Sequence, residues 1–279
     1  MKILKIVNKI LGKFNCRISK INRHIESVGK LNLNSGKEGS DKILLNLGSG
    51  NWSLDGWTNL DYPSEWYANA QKNHKIVPYD IRNDNIPFED NYVDIIYSSH
   101  VIEHIENIHI QRMFDECYRV LKTGGGVRIT CPDAEFLYQV SKYNNDYWSW
   151  RNEWFNSERF YKKYFSPRNV DFLVREIATP KLLNYVHSMN SIDYEEAYKT
   201  MGMYDYFEYL TKDLVFRVET VGDHINYFTF DKVKQMLQRA GFNIIIHSKW
   251  NGSVFEEMKQ KDKFDIVYPN MSLYVEAIK

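Results

Sequence analysis

The sequence predicts an α/β fold built on a parallel sheet, and three observations predict it. Short apolar runs of strand length alternate with helix-length amphipathic stretches between positions 43 and 131. The first run, Ile43–Leu47, passes directly into Gly48-Ser49-Gly50, where the backbone can turn sharply and approach a ligand. The alternation then stops at Ala134, gives way to a long aromatic-rich stretch, and resumes near Thr229.

Each element has its own justification. Ile43–Leu47 is apolar and ended by glycine, so it reads as a buried strand. Trp57–Leu60 and Lys75–Tyr79 are the next two strands, and Val93–Tyr97 is the fourth, entered from a turn at Phe88–Asn91. A helix should follow, with Ile108, Phe114, Cys117, Tyr118 and Leu121 on one face and Gly124–Gly126 as its stop. Val127–Cys131 is the fifth strand, ended by Pro132. Thr229 is placed to cap a helix carrying Val233, Met236, Leu237 and Ala240, which Gly241 terminates. Asn243–His247 and Leu273–Ile278 supply the last two strands. The segment from Gly50 to Trp57 is too short for a full crossover helix, so a compact loop is expected there. This divides the chain into a basic N-terminal segment with linker (1–40), an α/β domain (41–133 and 219–279), and a helical cap inserted at 134–218.

Composition narrows the function. The 279 residues carry 36 Lys and Arg against 36 Asp and Glu, a formal balance of zero, which argues against a dedicated nucleic-acid binder. Cys16, Cys117 and Cys131 are too few and too scattered for a disulfide framework or a zinc cluster, which points to a reducing cytosol. No apolar run is long enough to span a bilayer. Up to Arg23 every charge is positive (Lys2, Lys5, Lys9, Lys13, Arg17, Lys20, Arg23), while Ile3, Ile6, Ile10 and Phe14 recur at helical spacing. Two readings stay open for residues 1–23: a helix docked on the domain, or a basic amphipathic helix on an anionic membrane surface. The second would make a cytoplasmic protein membrane-associated at the inner face.

The candidate ligand site follows from strand ends. Asp61, at the tip of the second strand, can accept hydrogen bonds from both hydroxyls of a ribose. Asp80, at the tip of the third, is placed to face an adenine amino group. The glycine turn lacks the third glycine of a dinucleotide fingerprint, so the set favours a nucleoside without a pyrophosphate.

The segment Leu45–Asp133 resembles the class I S-adenosylmethionine-dependent methyltransferases. The residues that carry the resemblance are Leu45-Asn46-Leu47-Gly48 with Gly56-Trp57 ahead of Asp61, then Ser98–Ile105 and Arg119–Asp133. It is similar above all to a branch found among bacterial surface-polysaccharide and small-metabolite methyltransferases. The resemblance implies a Rossmann-like seven-stranded sheet, mostly parallel with an antiparallel last strand, and S-adenosylmethionine as cofactor. It implies a methionine end over Gly48, Ser49 and Gly50, flanked by Leu47, Asn51 and Trp52. It places the ribose on Asp61 beside Tyr62, and the adenine near Asp80 and Ile81. Where the wider class carries an acid before the first glycine this chain has Asn46, so a charged contact to the methionine ammonium would be missing or water-mediated.

Within that frame Ser98 and Ser99 would touch the cofactor, and His100-Val101-Ile102-Glu103-His104 would meet the methyl acceptor. His100 or His224 would act as general base, with Glu103 and His104 orienting the helix start or sharing the chemistry. His187 and Arg217 are weaker candidates. Tyr143, Tyr147, Trp148, Trp150 and Trp154 are placed to stack on a sugar or to exclude water. The acceptor expected is a sugar, glycan or phosphorylated sugar-like molecule, and a homodimer is left open. No metal is expected, although the same five residues match an H-x-x-E-H zinc pattern and resemble a metal-binding cluster of some methyltransferases. A non-catalytic cofactor-binding scaffold and an H-x-x-E-H hydrolase are the alternatives.

Overall fold

The computed structural model describes residues 42–65, 68–72, 74–144, 146–151, 167–188 and 194–279. The basic helix expected at 1–23, its linker, Trp154 and the side chain of His187 lie outside what is described. Seven strands form one sheet: β1 (Leu44–Leu47), β2 (Thr58–Asp61), β3 (Ile76–Pro78), β4 (Val93–Ser99), β5 (Leu121–Pro132), β6 (Ile244–His247) and β7 (Ser272–Ile278). Their spatial order is β3-β2-β1-β4-β5-β7-β6. Pairing is parallel from β3 through β5, and β7 is antiparallel to both neighbours. This is the Rossmann-like arrangement with an antiparallel last strand that the resemblance implies.

Among the described residues the helices are α1 (Ala68–Gln71), α2 (Asn107–Val120), α3 (Ala134–Tyr143), α4 (Asn169–Ile177), α5 (Thr179–Ser188), α6 (Tyr194–Thr200), α7 (Met203–Thr211) and α8 (Phe230–Ala240). On one face of the sheet, Ile110, Met113, Phe114 and Cys117 of α2 and Val233, Met236 and Leu237 of α8 pack on Leu45, Leu47, Ile96, Val127 and Val275. Burial of such apolar surface, about 25 cal/mol per Å², is the main force holding these layers together. On the other face Ile95 and Tyr97 alternate away from Ile96 and meet Leu54, Met258 and Phe264. Thr229 caps α8 by accepting from Lys232 N, and Gly241 ends the helix.

Two details of the region between β4 and β5 differ from expectation. Ile108 is 72% exposed rather than on the buried face of α2, because Ile110 and Met113 occupy that face. Helix α2 also stops at Val120, before the glycines, and Leu121 and Gly124–Gly126 belong to β5. Gly126 is small for a packing reason: a Cβ there would lie 2.1 Å from Phe255 Cζ.

Helices α3 to α7 gather a second apolar cluster around Trp148, Phe172, Leu173, Tyr206 and Phe207, which Tyr227 and Met271 join from either side of α8. Away from the ligand edge, Arg128 of β5 is fully buried and pairs with Asp265 and with Glu276, its cross-strand partner on β7.

Candidate functional site

Parallel pairing puts the C-terminal ends of β1, β2, β3 and β4 on one sheet edge, and a cavity of about 860 Å³ opens there. It is lined by Gly48, Ser49, Gly50, Asn51, Trp52, Asp61, Tyr62, Asp80, Ile81, Ser99, His100, His104 and His224. The structure therefore brings thirteen of the sixteen residues expected at the site to one wall system. Leu47, Ser98 and Glu103 do not line it: Leu47 is core, and Ser98 and Glu103 are each 1% exposed.

The glycine turn is held by Gly48 N and Ser49 N, which donate to Leu60 O at 2.8 and 3.2 Å. Gly48 has φ +69°, and a Cβ on it would lie 2.3 Å from Val101 Cγ2. Glycine is therefore required twice, by conformation and by the closeness of the β4 loop. The space beside Gly50 is open: a Cβ on it would meet nothing within 4 Å.

Asp61 closes the turn. Its Oδ2 accepts from Gly50 N at 2.9 Å and from Gln71 of α1, and its Oδ1 accepts from Tyr62 N at 2.8 Å. Burial pushes its carboxyl up to about 6, against the pull of these three donors. Asn46 is 3% exposed and does not face the cavity. Its Nδ2 donates to Trp52 O and Asn59 Oδ1, pinning the compact loop between β1 and β2.

Asp80 sits on the wall with its carboxylate already engaged. Oδ1 accepts from Arg82 N and Nε at 3.0 and 2.9 Å, and Oδ2 from Arg82 Nη2 and Asn83 Nδ2 at 2.7 and 2.9 Å. Burial raises its carboxyl, but the Arg82 bonds outweigh that and hold it below the ordinary value. Arg82 in turn stacks over Phe216 at 4.0 Å, and Phe216 meets Tyr62 edge-on at 6.0 Å.

At the other end of the cavity, His100 follows β4 in the left-handed region at φ +53°, a strained conformation for a non-glycine residue. Its Nε2 is 2.8 Å from Ser272 Oγ and its Nδ1 is 3.0 Å from Glu103 Oε1. Glu103 and His104 sit on a 3-10 turn, Ile102–His104, so the long helix that an H-x-x-E-H zinc hydrolase needs is absent here. His104 Nδ1 donates to Asp223 O at 2.9 Å, and His224 Nδ1 donates to Glu176 O at 2.8 Å. The two rings meet edge-on at 4.8 Å. Burial first, then the neighbouring His104, hold the His224 imidazole well below its ordinary value.

Of the aromatic residues singled out in the cap, Trp150 lines the cavity. Trp148 instead stacks on Phe172 at 5.1 Å inside the second cluster, and Tyr143 is 75% exposed. Arg217 is exposed and off the wall. Sequence reasoning missed Arg175 of α4, Phe216, Val221, and the loop Ile266–Asn270. That loop reaches the site because antiparallel β7 begins at the ligand edge, with Ser272 opposite Pro132. Only the direction of β7 could have signalled it.

Residues 46–129 match the family model described as a methyltransferase domain. No curated protein matches the chain. Among solved structures, an S-adenosylmethionine-dependent methyltransferase from Archaeoglobus fulgidus is similar at 13% identity, over 85% of this chain and 86% of that one, with a TM-score of 0.41. One from Mesorhizobium loti gives 12% identity over 85% and 90%, with a TM-score of 0.41. Human N-acetylserotonin methyltransferase in complex with S-adenosylmethionine gives 12% over 85% and 47%, also at 0.41. The match is to a methyltransferase domain over residues 46–129, and the resemblance noted in the sequence implies S-adenosylmethionine as its cofactor. The residues present fit that group. The cavity has the volume of a small-ligand site, open space flanks Gly50, and a buried carboxylate stands at the tip of β2.

Proposed function

We propose that the protein methylates a hydroxyl oxygen on a sugar, glycan or phosphorylated sugar-like acceptor, in surface-polysaccharide biosynthesis. The observation that carries this reading is one cavity with the Gly48–Asp61 cradle at one end and His100, His104, His224 and Trp150 at the other. Trp150 offers a stacking face for a sugar ring, and Arg175 on the same wall supplies a cation suited to a phosphorylated one. The polysaccharide setting rests on the resemblance noted in the sequence, and fold alone is a weak warrant for substrate. A cytoplasmic enzyme with residues 1–23 at the inner membrane face is the location this setting implies.

S-adenosylmethionine, when bound, supplies an electrophilic methyl group on a sulfonium. Gly48, Ser49 and Gly50 would hold its methionine end and Asp61 its ribose hydroxyls. The protein's main task is then alignment of the acceptor oxygen. Removal of the acceptor's proton adds about 10²–10⁴-fold. Of the two histidines expected to do this, geometry favours His224. Its Nδ1–H is committed to a carbonyl, which can only accept, so Nε2 carries the lone pair. Both ring nitrogens of His100 have neighbours already, Ser272 and Glu103, which suits it to positioning.

Calorimetric titration with S-adenosylhomocysteine tests the first step, and absence of binding at millimolar cofactor refutes the reading in favour of a scaffold that binds something else. Turnover of His224→Ala and His100→Ala on a panel of sugar acceptors tests the second. His224→Ala is expected to lose at least about 100-fold in kcat. Unchanged rates in both variants would refute the catalytic assignment.

A further inference from the structure

Glu103, His104 and His224 each bring one donor atom to a common point, with the three atoms within 4.8 Å of one another. We propose that this trio binds a divalent first-row transition-metal ion. The first support is the histidine tautomers. Each Nδ1–H donates to a backbone carbonyl, Asp223 O for one ring and Glu176 O for the other, so Nε2 is the nitrogen on each ring that keeps a lone pair with which to ligate an ion. A ring nitrogen tied back in this way is what fixes an imidazole as a metal ligand.

The second support is independent of the first. Glu103 is 1% exposed, and neither carboxylate oxygen accepts a hydrogen bond. His100 Nδ1 lies 3.0 Å from Oε1, a contact that is an ion pair only when that ring is protonated. A carboxylate withdrawn from water without a donor is costly, and a cation against it removes that cost.

The two halves of the trio are also locked to each other without a metal. Ile225 N and Asn226 N donate to Glu103 O at 2.8 and 3.1 Å, so the His224 segment is bound to the 3-10 turn by main-chain bonds. Metal–ligand bonds of about 2.0–2.2 Å would require the donors to close by roughly 1 Å, which side-chain rotation supplies. His104 and His224 line the cavity while Glu103 lies behind them. The bound ion would thus have protein on one side and open coordination positions on the other, the pattern of a catalytic rather than a structural site.

Donor type selects the metal class. Two imidazoles and one carboxylate suit zinc, iron, cobalt, nickel or manganese, whereas magnesium and calcium take oxygen donors almost entirely. The consequence for catalysis rests on the methyltransferase reading above. An acceptor hydroxyl on the ion would be acidified and could release its proton to water in the open cavity, so that His224 Nε2, then a ligand, would no longer be needed as the base.

The full chain, stripped with a chelator, is titrated with ZnCl₂ by calorimetry and with CoCl₂ by visible absorption. The expected result is one ion per chain, a d–d band from cobalt, and a raised Tm on loading. His104→Ala and His224→Ala should weaken binding by about 100-fold or more and abolish the band. Glu103→Gln, which keeps the shape, should do the same and guards against a folding defect in the alanine variants, whose metal-free melting is recorded alongside. His74→Ala, an exposed imidazole outside the cluster, should bind as the parent does. Absence of binding, or binding that survives all three cluster substitutions, overturns the metal site. S-adenosylhomocysteine is titrated into the same samples, so that failure of the cofactor reading registers separately from failure of the metal site.

Discussion

Replacing Asp61 by Asn separates what this carboxylate does for the cofactor from what it does to the fold. Its carboxyl is raised from 3.8 to about 6 by burial. Each pKa unit corresponds to about 1.4 kcal/mol, so the displacement is worth about 3 kcal/mol. The sign follows from proton binding. Between about pH 4 and pH 6 the folded chain keeps this proton and the unfolded chain has lost it. The group therefore favours the folded state fully below pH 4, and that contribution is gone once the pH rises through 6. At pH 8 the cofactor-free protein holds a buried charge that Asn would not carry. Asp61→Asn is therefore expected to unfold at higher urea than the parent at pH 8, by up to about 3 kcal/mol, and to show no advantage at pH 4. Cofactor affinity runs the opposite way. If Asp61 holds the ribose as proposed, its ionised form would be the acceptor for the hydroxyls, so parent affinity should fall about tenfold from pH 8 to pH 5, where roughly a tenth of the carboxyl is ionised. Loss of charge-assisted bonds worth about 1.5–3 kcal/mol should weaken Asp61→Asn by about 10- to 150-fold at pH 8 and flatten its pH profile. Urea titrations and S-adenosylhomocysteine calorimetry at pH 4, 5, 6 and 8 provide both readouts. A parent affinity constant from pH 5 to pH 8, or an Asn variant that binds as tightly as the parent, would refute the assignment.

Three further outcomes are expected. Gly48→Ala combines a left-handed backbone with a 2.3 Å approach to Val101, and should cost about 2–4 kcal/mol in urea unfolding. Adding Val101→Ala should recover the contact part of that loss and leave the conformational part. Arg128→Met strands Asp265 and Glu276 in the interior, and a loss of about 3–5 kcal/mol is expected by the same method. Phe216→Ala removes the surface on which Arg82 stacks beside Tyr62, and should weaken S-adenosylhomocysteine by up to about tenfold with little change in Tm.

The sheet was legible because its signals are local. Apolar runs ended by glycine or proline mark β1 and β5, and Thr229 with Gly241 marks both ends of α8. The end of α2 was misread because glycines that stop helices elsewhere are here demanded by a neighbour: Phe255 leaves no room for a side chain at Gly126, and that contact spans 129 positions of sequence. The cavity's first half was readable for the same reason as the sheet, since Gly48, Asp61 and Asp80 each stand at the tip of a strand. The second half was not. Nothing near Ile266–Asn270 announces a site, and Trp148 and Trp150 carry similar sequence signals yet face opposite surroundings, one stacked on Phe172 and one on the cavity wall. Which of two such rings is turned inward is decided by helix packing, not by the residues themselves.

The direction of β7 reaches further than its place in the sheet. The cradle around Gly48 and Asp61 is tied by hydrogen bonds that close short loops, such as the 11 positions between Gly50 and Asp61. The opposite end is tied by contacts that close loops of 119 positions between His104 and Asp223 and 172 between His100 and Ser272. Short closures form early in folding and reopen rarely at little cost, whereas long ones must wait for distant chain to arrive. The two ends of one cavity are therefore expected to differ in timing and in resistance to local opening. Amide exchange should find the cradle protected in a partly unfolded population in which Ser272 has left His100 and the acceptor end has ceased to exist.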